Sequence, residues 1–417
     1  MHSPNRTPFG FFVPLLVLLG ACDTLTPSAP AENEVLDGFV EGLTANQRRQ
    51  HITGDIEFAR RFAADDGLGP VFVAASCDQC HVGDGKGHAV FNLTRFGRQG
   101  PNGFDPLTRF GGPQLQHRSI PGYPAEEIPP AATGFSVFTA PAVTGLGYLE
   151  AVDDQTLIDL ADPDDLDGDG VSGRLQLHPP SELIEASLRA AGSTPGRGTV
   201  IDGGYIGRFG KKGLTVNLVH QTVGAYHEDM GITSDLLMED VQNPAAGALG
   251  LDPVADPEVS NQVVASVVFY LQTLRAPARR EATHPEVVAG EALFTDIGCA
   301  SCHTPTLRTG ASSIAPLHQV DFHPYTDLLL HDMGPDLDDG YTEGRATTSE
   351  WRTPPLWGIG LQARFQGGEA TYLHDGRART LDEAIGFHGG EGSRSRDRFG
   401  QLSADDQARL LRFLRSL

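Results

Sequence analysis

Two stretches carry the same five-residue chemistry, Cys77-Asp78-Gln79-Cys80-His81 and Cys299-Ala300-Ser301-Cys302-His303. Cys-x-x-Cys-His brings two thiols and an imidazole to one place. The thiols can form thioethers to the two vinyl groups of one porphyrin, and the histidine that follows can reach the iron. A zinc site would need more ligands at each motif, and a redox dithiol has no use for the histidine twice. The expectation is two covalently bound haem c groups. Cys77 and Cys80 would hold the first and Cys299 and Cys302 the second, with His81 and His303 on the two irons.

The fifth and last cysteine, Cys22, closes Leu19-Gly20-Ala21-Cys22 after the apolar run 11–19. This resembles a bacterial lipobox, in which the chain is cut before the cysteine and the new terminus is lipidated. A membrane span needs about 20 apolar residues, so the run is too short to cross by itself. Residues 1–22 therefore read as a lipoprotein signal. Residues 23–50 read as a flexible tether, rich in Pro, Ala, Ser and Thr over its first third. The expected address is the periplasm, lipid-anchored to a bacterial membrane, with the membrane touched through the N-terminal lipid only.

The chain has 54 acidic and 31 basic residues, a net charge of −23. That argues against nucleic acid as a partner and leaves a locally positive redox protein open.

Several elements must position the two motifs. Residues 52–70 are partly helical (Ile52, Phe58, Phe62) and lead into the first motif. Residues 92–150 are weakly helical and loop-rich, with a short strand over Phe135-Ser136-Val137-Phe138. Val263, Val264, Val267, Val268, Leu271 and Leu274 mark one face of a helix over 258–274. Gly290 to Phe294 open a helix that enters the second motif, and 405–417 repeat the pattern with Leu410, Leu411, Phe413, Leu414 and Leu417. The endings Phe269-Tyr270-Leu271-Gln272-Thr273-Leu274 and Arg412-Phe413-Leu414-Arg415-Ser416-Leu417 echo each other. The expected fold is mainly α: two cytochrome c-like haem domains, 51–276 and 285–417, with a long loop-rich insertion in the first. Asp165, Asp167 and Asp169, before Gly170, open like a calcium loop, although its twelfth position is Gln176.

Beyond the motifs, many segments resemble the bacterial di-haem oxidoreductases, a branch of the di-haem cytochrome c peroxidase superfamily. They include Gly112-Pro113-Gln114-Leu115-Gln116, Gly207-Arg208-Phe209-Gly210, Leu330-His331-Asp332-Met333-Gly334, Trp351-Arg352-Thr353-Pro354-Pro355-Leu356-Trp357-Gly358 and Leu373-His374-Asp375-Gly376. The resemblance implies hydrogen peroxide as substrate and a small redox protein, a cytochrome c or a cupredoxin, as electron donor. It implies His388 as distal ligand of the second haem, with His331 and Met333 as rivals. Gly97 stands where related enzymes carry a removable histidine, which implies an open first haem, with His117 as the competing ligand. Gln116 and Glu126 match the pair lining the peroxide pocket, Glu126 as acid–base, with Gln114 and Glu127 as neighbours. His374 falls near the haem interface. Relatives place a tryptophan between the haems; here Phe110 or Tyr123 would fill that gap. Two rival functions stay open: an electron-transfer cytochrome without turnover, and a peroxide-dependent oxidase of a protein or peptide side chain.

Overall fold

A computed structural model describes residues 35–100, 103–192, 194–247 and 254–417; the signal segment with Cys22 and the front of the tether lie outside them. Asn33–Leu417 is one compact unit.

Two crossed helix pairs organise it. The first is Ala45–Ala59 against Asn261–Thr273, the second Pro285–Asp296 against Ala404–Ser416. Thr44 starts the first helix with a capping box: its hydroxyl accepts the Gln47 amide, and the Gln47 side chain accepts the Thr44 amide. In the second pair, His284 caps Glu286 with Pro285 in the first turn, and Ser403 caps Asp406.

Each crossing depends on one glycine. A Cβ on Gly54 would overlap the Ser266 carbonyl oxygen beside Tyr270, and a Cβ on Gly290 would overlap the Arg409 carbonyl oxygen beside Phe413. Only a residue without a side chain lets the two backbones come so close. The echo between the sequence endings is thus a shared crossing, with Tyr270 and Phe413 in equivalent roles.

Each pair encloses an apolar core beside one motif. Phe58, Val264, Val267, Tyr270 and Leu271 pack with the first, against Cys77; Val287, Phe294, Leu410, Phe413 and Leu414 pack with the second, against Cys299. Two smaller clusters tie distant sequence together. Val40 and Leu43 meet Ile314 and Leu317, and Phe138 meets Leu337, Tyr341 and Trp351. The ordered body therefore begins before the expected tether boundary, because Leu36, Val40 and Leu43 are buried.

Helix leads, at 36% against 14% strand, but the loop-rich insertion carries sheet. Leu93–Gly100 pairs antiparallel with Gly103–Asp105 and Gly134–Phe138. Along Gly134–Phe138 burial alternates strictly, as a strand requires, with Ser136 and Phe138 inward. Among the described residues, no helix is long and apolar enough to cross a membrane.

Candidate active site

One cavity of about 590 Å³ runs past both motifs, and Cys77, Cys80, His81, Cys299, Cys302 and His303 all line it. Each motif makes the same turn. The histidine amide donates to the carbonyl of its first cysteine, His81 to Cys77 and His303 to Cys299, both at 3.0 Å. Each imidazole is then fixed at Nδ1, which donates to Pro141 O (2.7 Å) for His81 and to Tyr325 O (3.0 Å) for His303. This leaves the Nε2 lone pair free, the arrangement by which a protein orients a metal-binding histidine. Burial drives both rings down to about 4, so they are neutral and ready to ligate. Burial also pushes the Cys77, Cys80 and Cys299 thiols up to about 12, which disfavours a reactive thiolate.

His388 has the same preparation. Its Nδ1 donates to Ala384 O at 2.8 Å, burial disfavours its charged form, it lines the cavity, and it lies close enough to His303 to act on it electrostatically. The rival His331 cannot ligate. Its Nε2 faces Asp327 at 2.8 Å and its Nδ1 faces Glu391 at 2.7 Å. Burial opposes charge on this ring, but the two carboxylates override it and keep it protonated far above the ordinary histidine range. Met333 also reaches the wall.

The wall beside the first motif comes largely from the helix Leu218–Met230, capped by Asn217. His220, Gly224, His227 and Glu228 face the cavity from it, and Gly224 has open space where a Cβ would stand. This glycine costs the helix about 1 kcal/mol relative to alanine, which fits a flat group passing close to the backbone.

The residues present therefore suit two haem groups, and comparison with known proteins agrees. The family described as "Di-haem oxidoreductase, putative peroxidase" matches residues 135–417. The chain belongs to the di-haem oxidoreductase family. The matched stretch contains the second motif and His388; the first motif precedes it. Among solved structures, the oxidoreductase is similar to the diheme peroxidase BthA from Burkholderia thailandensis E264, at 17% identity, 88% of this chain, 86% of that chain and TM-score 0.40. It is similar to a MauG-like protein associated with microbial copper homeostasis, at 16%, 72%, 94% and 0.31. It is also similar to Kuenenia stuttgartiensis hydrazine synthase, at 15%, 100%, 100% and 0.36. No curated protein matches the sequence.

In the oxidoreductase, Gln116 and Glu126 stand together: the Glu126 N–H donates to Gln116 O at 3.1 Å, and Glu126 Oε2 accepts the Gln116 N–H at 2.9 Å. Neither lines the cavity. Gln114 does, donating through Nε2 to Asp229 Oδ1 (2.5 Å) and to Glu228 O (2.9 Å), while Gln116 reaches only Glu228 O from behind (2.9 Å). Both glutamines point the same way because an extended segment repeats every two residues. The wall carboxylates are Glu228, Asp229, Glu343 and Glu391, not Glu126. Burial, partly offset by the Gln114 bond, raises Asp229 to about 6; burial, partly offset by the Gln116 N–H, raises Glu126 to about 8.

His117 is exposed and off the cavity wall. Phe110 and Tyr123 are off it too; Trp351 and Trp357 are on it. His374 stacks on Trp351, and Lys212 Nζ sits 3.9 Å over the same indole. The acidic turn closes differently from the expected calcium loop. Asp162, Asp165 and Asp167 bring their oxygens together, whereas Asp169 turns away to accept Val171 N (2.8 Å) and Ser301 Oγ (3.1 Å). Gln176 is buried and donates to Lys212 O and Glu343 O.

Sequence reading missed the helix Leu218–Met230 and the lysines Lys86, Lys211 and Lys212, and did not place Trp351 on the cavity wall. The helix did carry signals: an Asn cap, and Leu218, Val219, Thr222, Val223 and Tyr226 at helical spacing.

Proposed function

We propose that the chain is a di-haem c oxidoreductase that reduces hydrogen peroxide at the first haem and draws electrons through the second. The observation that carries this reading is the single cavity past both motifs, with His81, His303 and His388 each tied at Nδ1 and open at Nε2. In it the two motifs anchor two cytochrome c-like lobes, each closed by one crossed helix pair. Haem c bound there supplies an iron that accepts peroxide and passes single electrons.

The protein supplies orientation and protons. Cleavage of peroxide to two waters consumes two electrons and two protons. Asp229, raised to about 6 and held by Gln114, is the wall group able to give and retake a proton near neutral pH. Glu126, raised to about 8, keeps a proton behind the wall, linked to it through Gln116 and Glu228. Donors of the small cytochrome c or cupredoxin type fit a strongly acidic chain when their own docking face is basic. The lipobox supports a periplasmic lipoprotein, and Cys22→Ala would release it from the membrane fraction. In the acidic cluster Asp162 and Asp165 are half-buried and Asp167 is exposed, and calcium has no part in this proposal.

The test is steady-state peroxide consumption by the holoprotein with a reduced cytochrome c or cupredoxin. Asp229→Asn should lower turnover about 10²-fold or more with both haems retained. No consumption by wild type with either donor, after reduction of the second haem, would sink the reading.

A second reading has its own observation. His220 lines the cavity near Glu228, and burial holds it neutral, down to about 4. Ligation by His220 would close the first site and leave an electron carrier; in that case His220→Ala, not wild type, would respond to peroxide.

A further inference from the structure

The chain carries a net charge of −23, yet three cations converge on one wall of the cavity. Lys86, five residues after His81, is buried and gives two of its three hydrogens to Thr371 O and Leu373 O, both at 2.8 Å. Arg352 is buried and donates through Nε to Gly210 O (2.9 Å) and through Nη1 to Thr353 O (3.0 Å). Lys211 lines the same wall, and its ammonium has no hydrogen bond and no ion pair among the described residues.

Other buried cations of this protein have carboxylate partners. Arg95 meets Glu228 and Glu343, Arg208 meets Asp154, and Lys212 meets Asp339. No carboxylate lies within ion-pair distance of Lys86, Lys211 or Arg352 among the described residues. Asp375 acts on both lysines and Asp327 on Arg352 from beyond ion-pair distance, and burial outweighs them; burial without a close counter-charge is costly. It lowers Lys211 to about 7, with repulsion from Arg352 adding to it, and holds Lys86 well below the usual lysine range. These three cations are therefore left to pair with an anion in the cavity.

The charge of Lys211 is felt at His81 and at His374, so Lys211 lies near both the first motif and the Trp351–His374 stack, and Lys86 is tied to Leu373 O beside that stack. Once its vinyl groups are bound to cysteines, a haem keeps two ionised groups, its propionate carboxylates. We propose that Lys86, Lys211 and Arg352 form the seat for haem carboxylates beside the first motif, an assignment that rests on the di-haem reading. The seat would fix the rotation of the ring about its iron–histidine axis. It would also raise the reduction potential, because nearby positive charge disfavours the ferric form.

Wild type, Lys211→Gln, Lys211→Arg and Lys86→Gln decide the matter, made as full-length holoproteins. Haem is counted first by pyridine haemochrome spectra. One haem or none per wild-type chain would overturn the di-haem reading and the seat with it. With two haems present, spectroelectrochemical titration should show one midpoint potential lowered in Lys211→Gln and in Lys86→Gln, and kept in Lys211→Arg. Wild-type potentials in both glutamine variants would overturn the seat alone. Should Lys211→Gln fail to accumulate, a lowered potential in Lys86→Gln with a kept one in Lys211→Arg supports the seat, and an unchanged Lys86→Gln overturns it. A wild-type potential that moves with added chloride or phosphate at constant ionic strength, with Lys211→Gln unresponsive, would mean that the cations bind a diffusible anion, and would overturn the carboxylate assignment.

Discussion

The indole of Trp351 lies flat on the imidazole of His374, with ring centroids 3.6 Å apart and planes 12° from parallel. Its Nε1–H donates to Leu337 O at 2.9 Å, and the fully buried Lys212 ammonium sits over the ring. A buried cation–π contact and a buried hydrogen bond are each worth about 1–2 kcal/mol. Trp351→Phe keeps the stack but loses the bond and weakens the cation contact. It should lower unfolding free energy by about 1–3 kcal/mol in urea titrations. In the proposed reading it should also slow electron redistribution between the haems, as followed by stopped-flow spectra; unchanged stability and unchanged redistribution would remove Trp351 from both roles.

The two helix crossings make a matched prediction. Gly54→Ala and Gly290→Ala each force a Cβ onto a partner backbone carbonyl. Overpacking of this kind costs about 1–3 kcal/mol. Both variants should melt at lower temperature than wild type, whereas Gly400→Ala, which meets nothing within 4 Å, should not. Equal melting of all three would show that the crossings are looser than described.

Glu126 makes stability depend on pH in a definite direction. Its unfolded carboxyl ionises near 4.5, while burial in the folded protein holds the proton to about 8. Between these values the folded state binds more protons, so this group's contribution to stability falls as pH rises through that window and is level outside it. Glu126→Gln lacks the effect. Denaturation of both proteins at pH 4, 6 and 8 should show the variant gaining on wild type with each step. Parallel stabilities across the range would contradict a carboxyl held neutral by burial.

Ala45–Ala59 falls half within the expected tether, because its buried face is His51, Gly54 and Phe58. The helices Asn261–Thr273 and Ala404–Ser416 were legible in sequence because burial at helical spacing is a local pattern. Val263 through Leu274 and Leu410 through Leu417 show it, and Gly54 and Gly290 sit where the packing demands them. The motif turns were legible because five residues carry them whole. The helix Leu218–Met230 carried an intact buried stripe; what the sequence did not show is that its other face, with His220, Gly224, His227 and Glu228, lines the cavity. The resemblance implied Gln116 and Glu126 on the pocket; the chain returns upon itself there and pairs them, but behind Gln114 and off the cavity wall. Alternating aspartates suggested Asp165, Asp167 and Asp169, while the folded turn closes through Asp162, which accepts the Leu166 and Asp167 amides. Trp351 is more than two hundred residues from the first motif, and only tertiary structure brings it to the shared wall.

In the proposed reading one haem is open at its iron and the other is closed by His303 and His388. Low-temperature EPR of the ferric holoprotein, recorded for wild type and His388→Ala before and after peroxide, distinguishes the two irons. Wild type should show one high-spin and one low-spin signal, with the high-spin signal consumed by peroxide. In His388→Ala the low-spin signal should be lost with both haems retained. Two low-spin signals unmoved by peroxide, or a low-spin signal that survives His388→Ala unchanged, would contradict it.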